Sequence, residues 1–248
     1  MDQYLKLAKE DLETAQLLYK GKKYSNALYH YHQSVEKASK FIGLAIGGIS
    51  EKQLTDISHE PIKVFKFLFN HIEKQSSGLL PPVDPHLFTN AKQIIDSESE
   101  EEIVRSAWEM LKSISNEGKT INEEHFPSHF DAVVDYIGKT IPNFNLGLEN
   151  ELFKQYAAVR LRDEATKTII FINFGIKILQ VLLINSLICS KFKPDQFRYP
   201  TNKLGNPAEY FNENNPLIRD LQFFMNSMNI PIEFAPKINW KQSPNLII

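Results

Sequence analysis

Residues 24–46, YSNALYHYHQSVEKASKFIGLAI, decide the fold. Leu28, Tyr31, Val35, Ala38, Ile42 and Ala45 recur at spacings of three and four, which is the continuous apolar stripe of one long helix. Beside the stripe runs a polar row, His32, Glu36 and Lys40, each one helical turn from the next. Two readings fit this row. One is a solvated face with a Glu-to-Lys pair worth about a few tenths of a kcal/mol. The other is a functional face, onto which His59, at the next helix start, folds back. His30 and His32 are two apart and point in different directions, so they make no pair.

Outward from this helix, residues 2–20 predict a second amphipathic helix with Asp2 as N-cap and Leu5, Ala8, Leu12, Ala15 and Tyr19 facing inward. Gly21 ends it, and the short turn Gly21-Lys22-Lys23 makes the two helices an antiparallel hairpin. Gly43 weakens the end of the long helix and Gly47-Gly48 stops it. Ser58 is expected to cap a third helix with Pro61 in its first turn. After a loop at Gly78 and Pro81-Pro82, Asp84-Pro85 opens a short helix to about Ile95. The acidic run 97–102 reads as a helix start, with Ser97 and Glu100 as a capping box. That helix continues through Ile103, Ala107, Trp108 and Leu111 to about Ser115. Further helices are expected at 128–139 and 149–162. Residues 168–192 are the most apolar part of the chain, but Lys177 and three side-chain amides interrupt them. A buried core helix fits better than a membrane span, which needs about 20 mostly apolar residues. Residues 193–248 read as a Pro-rich irregular stretch, a last helix from Leu217 to Asn229, and an extended tail. No alternating strand pattern occurs, so the class is all-α. The whole of 1–248 reads as one helical domain, with 80–148 as a helical insertion.

The composition narrows the function. The chain has 248 residues, 42% of them hydrophobic and 23% charged, as in a globular protein. A net charge of −2 and a pI near 6.4 give no bulk attraction for nucleic acid, so any such contact needs a local basic patch. One cysteine, Cys189, excludes an internal disulfide and a multi-cysteine metal site. The first residues have no signal-peptide pattern, and a cytoplasmic location is expected. His125 and His129 have HxxxH spacing, but Pro127 breaks the helix that would align them, and no metal is expected. Gly-rich phosphate loops and the GxSxG, HExxH and CxxC motifs are all missing, so neither a cofactor nor a standard catalytic centre is indicated. Arg160 and Arg162 precede Asp163 and Glu164 and read as ion-pairing residues.

Residues 7–42 resemble the first helical hairpin of the HEPN domain (higher eukaryotes and prokaryotes nucleotide-binding). The likeness lies in Ala8, Asp11, Leu12, Ala15, the turn at Gly21 and Tyr24, Ala27, and above all Gln33, Glu36, Lys37 and Lys40. These last four are similar to the family's hQxxEKxxK pattern. Downstream, Arg198-Tyr199-Pro200 resembles the RYP of many HEPN domains. The resemblance implies an up-and-down helical bundle that pairs into a homodimer. It implies a toxin or defence ribonuclease, a partner of a small nucleotidyltransferase or antitoxin, or a non-catalytic nucleotide- or RNA-binding module. Ribonuclease members carry an arginine with a histidine five to seven residues later. None of Arg105, Arg160, Arg162, Arg198 and Arg219 is followed by one, so a non-catalytic binding protein is expected. Lys37, Lys40 and Arg198 are the expected phosphate contacts and Tyr199 the base-stacking ring. His32, Gln33, Glu36 and His59 support them. The alternatives are a helical interaction scaffold, since residues 2–46 also look like a tetratricopeptide hairpin, and a ribonuclease with a non-standard site.

Overall fold

Small and apolar residues recur every third or fourth position in 2–20 and 24–46, and in the computed structural model they close two helices into a hairpin. The structure describes residues 2–75, 99–117, 175–202, 204–238 and 240. Helix α1 (Asp2–Lys20) buries Leu5, Ala8, Leu12 and Ala15 against α2 (Tyr24–Ile46). The turn between them is a Schellman motif: Lys23 N–H donates to Leu18 O at 2.8 Å and Lys22 N–H to Tyr19 O at 2.9 Å. Gly21 does not take the left-handed position. Lys22 does, at φ 58°.

Helix α2 is the axis of the fold. Besides α1 it touches α4 (Ile62–Gln75), α6 (Ile176–Lys191) and α7 (Pro194–Arg198). A helix packed on so many sides buries polar groups, and these bond across to its neighbours. Tyr31 OH donates to Asn185 Oδ1 on α6 at 2.5 Å, Ser34 Oγ to Ala8 O on α1 at 2.8 Å, and Ser39 Oγ lies 3.3 Å from Ser186 Oγ. Gly47 at φ 81° ends the helix. Gly43 serves packing instead: a Cβ there would lie 2.6 Å from Ile49 Cδ1 and 2.8 Å from Val64 Cγ1.

Helix α6 buries Ile178, Val181, Leu182 and Ile188, as expected for a core helix. Among the described residues no helix is long and apolar enough to cross a membrane. There is no β-strand among them either, only an isolated bridge between Thr201 and Gly205, so the protein is all-α. Helix α5 (Glu100–Glu117) packs on α6 and α9 (Pro216–Ser227).

Several boundaries differ from the sequence reading. Ser58 does not cap α4. It follows a short unforeseen helix, α3 (Gln53–Ile57), as its C-cap, at φ 49°. The capping box of α5 is Ser99 with Glu102, whose Oε2 accepts from Ser99 N at 3.0 Å and Ser99 Oγ at 2.8 Å. In the Pro-rich stretch, Pro194 and Pro207 open one-turn helices, α7 and α8 (Pro207–Tyr210), because a proline fits the first helical position. The expected extended tail begins as helix α10 (Asn229–Phe234) and a 3-10 turn (Ala235–Lys237). Trp240 is buried there, its indole N–H donating to Ala235 O at 2.8 Å. The expected helices at 84–95, 128–139 and 149–162, the pairs His125/His129 and Arg160/Arg162, and most of the 80–148 segment lie outside the described residues.

Gly43→Ala raises helix propensity but overpacks the α2–α4 contact. It is expected to lower stability by about 1–3 kcal/mol in chemical denaturation.

Candidate functional site

Two places concentrate polar chemistry: the side of α2 beyond its first turns, and a groove at the hairpin end of the bundle.

On the side of α2, Glu36 is the hub. Its carboxylate is buried, and Lys40 Nζ donates to Oε1 at 2.7 Å. His59 Nδ1 lies 3.0 Å from Oε2, and Gln33 Nε2 donates to the same oxygen at 3.4 Å. His59 folds back on the row as expected. Lys40 also donates to Ser58 O at 2.8 Å, which ties α2 to the α3–α4 connection. Lys37 pairs with Asp11 of α1, and Asp11 Oδ1 lies 2.9 Å from His30 Nδ1. Every cation of this stretch therefore faces a carboxylate of the protein.

His32 leaves the row. Its Nε2 points at the Cys189 carbonyl, 3.3 Å away, which requires a proton on Nε2. Nδ1 has no hydrogen-bond partner among the described residues, and the space among Leu28, Ile188, Phe192 and Phe197 does not admit a water molecule. Burial pushes the imidazole pKa down to about 4, although the negative charge of Glu36 opposes the shift. Burial likewise raises the Cys189 thiol well above its ordinary range, so it is an inert core residue.

The groove, about 690 Å³, is open to solvent. The α1–α2 turn and the first turn of α2 form one wall, through Lys22, Lys23, Tyr24, Ser25 and Asn26. The other wall is α7, α8 and the loop 211–214. Ser25 Oγ donates to Phe197 O and joins the walls. Helix α2 starts without a side-chain cap, Lys23 standing at the N-cap position. Arg198 lines the groove with its guanidinium 5.0 Å from the Tyr29 ring centre and 5.4 Å from that of Tyr199, which is 56% exposed. Neither Lys23 nor Arg198 has a carboxylate partner among the described residues. Glu213, held by Lys22 at 2.8 Å and Tyr24 OH at 3.0 Å, is the one acid among the described lining residues. The hydrogen bonds from Lys22 and Tyr24 keep its carboxyl below its ordinary range.

The fold thus separates the residues that the family likeness grouped as ligand contacts. Arg198 and Tyr199 stand at the groove. Lys37 and Lys40 do not line it, and Lys40 lies roughly 16 Å from Tyr29 along α2 at about 1.5 Å per residue. The groove residues Lys22, Lys23, Tyr24 and Glu213 were not among the expected site residues. Adjacent lysines before a helix start were a visible signal, but Glu213 is 189 positions from its partner Tyr24.

The fold and its groove define an all-α bundle with a cationic, aromatic-edged surface site. Residues 1–77 match the HEPN domain. The family has nucleotide- and RNA-related functions. The match takes in the hairpin, α3 and α4, hence one wall of the groove. No curated protein and no solved structure matches the chain.

Two outcomes follow from these geometries. The unfolded chain takes up the His32 proton near pH 6.5 and the folded chain only near 4. Between these values the unfolded state binds more protons, so stability falls as pH drops from about 7 through 4, by about 3 kcal/mol in all. His32→Leu should flatten that limb of a stability-versus-pH curve. Glu36→Gln leaves the Lys40 ammonium buried without its counter-charge and should cost about 3–5 kcal/mol. Replacing both by Met should recover most of the loss in the same denaturation assay.

Proposed function

We propose that the protein is a non-catalytic, diverged HEPN protein that binds a phosphate-bearing ligand, a nucleotide or single-stranded RNA, in the groove at the hairpin end. The observation that carries this reading is Arg198, a cation without a carboxylate partner among the described residues, laid against two tyrosines at the edge of an open groove. A guanidinium so placed offers a fork of donors to phosphate, and the exposed Tyr199 face offers a stacking platform for a base. Lys23 adds a second charge without a carboxylate partner among the described residues, and Asn26 and Asn214 bring side-chain amides to the lining. Lys37 and Lys40, engaged by Asp11 and Glu36, hold the bundle in register in this reading and leave phosphate contact to the groove. The missing arginine–histidine pair favours binding over cleavage, and no histidine occurs among the described lining residues. Homodimer formation, a role in prokaryotic defence or a toxin–antitoxin pair, and a nucleotidyltransferase or antitoxin partner belong to the same proposal. They rest on the family likeness.

Binding of a fluorescein-labelled 12-nucleotide RNA at low salt tests it. Arg198→Ala and Lys23→Ala should each weaken binding about tenfold and lower its salt dependence, while the melting temperature stays unchanged. Tyr199→Ala should cost ~1–3 kcal/mol of affinity. Lys40→Ala should lower the melting temperature. If the parent protein binds neither this RNA nor AMP at low salt, the interaction-scaffold reading replaces this one.

A further inference from the structure

Within the groove, Lys22 Nζ at 2.8 Å and Tyr24 OH at 3.0 Å converge on one oxygen, Glu213 Oε1. Two donors from one turn aimed at a single point make an anion seat. The backbone on both sides holds them in place. Lys22 occupies the left-handed C′ position of α1, where glycine is the default and a side chain is strained. That conformation sets the side chain out over the groove rather than along α1. Glu213 is presented by a second tight turn, in which Asn215 N–H donates to Asn212 O at 3.0 Å and Asn214 N–H to Asn212 Oδ1 at 2.8 Å.

The contact contributes little to stability. Both side chains of the ion pair are well exposed, 73% for Lys22 and 60% for Glu213, and such pairs are worth little in water. An exposed carboxylate on two donors, in a groove that also presents Lys23, Arg198 and several side-chain amides, is readily exchanged for another anion.

We propose that Lys22 and Tyr24 form a phosphate seat that Glu213 fills in the free protein, and that a phosphate of the ligand displaces Glu213 from it. This rests on the reading of the groove as a ligand site. It adds a residue that opposes binding, and so sets the threshold at which the groove fills. The phosphate is either a terminal group of a nucleotide or a backbone group of RNA; the chemistry at the seat is the same.

The test compares the parent protein, Glu213→Gln, Lys22→Ala and the double variant, using AMP and a 12-nucleotide RNA lacking terminal phosphates. Glu213→Gln should bind about three- to fivefold more tightly at low salt, with the gain fading as salt rises. The gain should vanish in the double variant, because the seat itself is then gone. A gain with AMP alone assigns the seat to a terminal phosphate, and a gain with RNA assigns it to the backbone. If the parent binds and Glu213→Gln binds equally or less tightly, the displacement model is overturned and the groove reading stands. If the gain survives in the double variant, the seat at Lys22 is overturned. If neither probe binds any of the four proteins, both readings fall. All four should melt at similar temperatures, since the contact is exposed.

Discussion

Helix α2 has almost no solvent side between Ala27 and Ala45, and the rest of the structure follows from that constraint. A helix enclosed by α1, α4, α6 and α7 must satisfy each polar side chain it carries through a neighbour. Tyr31 reaches Asn185, Ser34 reaches the α1 backbone, Ser39 meets Ser186, and Glu36 gathers Lys40, Gln33 and His59. These bonds add specificity to an apolar stripe that would accept more than one register, because an unmade bond in the interior costs more than a made one contributes. His32 Nδ1 is the exception, an acceptor in a dry pocket without a hydrogen-bond partner among the described residues.

The same enclosure moves function away from the middle of α2. A lysine locked to a buried carboxylate is poorly placed to take up phosphate, since the ligand would have to break the pair and leave the carboxylate behind. The ends of the bundle are not under this restriction. At the hairpin end the backbone turns, the first turn of α2 is uncapped, and Lys23 and Arg198 stand in water. The chemistry on offer there is charge, amide and ring, and the bundle supplies a stiff frame for it.

Much of the fold was legible because it depends on local rules. The period of three and four in 2–20 and 24–46 marks the hairpin, and Gly47 and the prolines mark ends. The misplacements were also local. Ser97 and Ser99 both precede a glutamate by three, and it is Ser99 that bonds with its glutamate, Glu102. Pro194 and Pro207 read as breakers but serve as starters, a choice that depends on whether the residues after them can pack. Burial of Phe197 and Phe211 makes that choice here.

The site divides differently. Sequence alone identified the HEPN-like hairpin, the Glu36–Lys40 pair at helical spacing, the return of His59, and the absence of the family's arginine–histidine pair. The Glu36–Lys40 pair follows from helical spacing, and the hairpin and the missing arginine–histidine pair follow from the likeness to a family pattern. Only the tertiary structure decided that His32 turns into the core toward Cys189, that Lys40 belongs to the interior, and that Arg198 meets Tyr29 rather than Lys40. It also brought Glu213 to Lys22 and Tyr24. Those outcomes depend on which distant segments share a neighbour, and helical spacing carries no information about a partner nearly two hundred residues away.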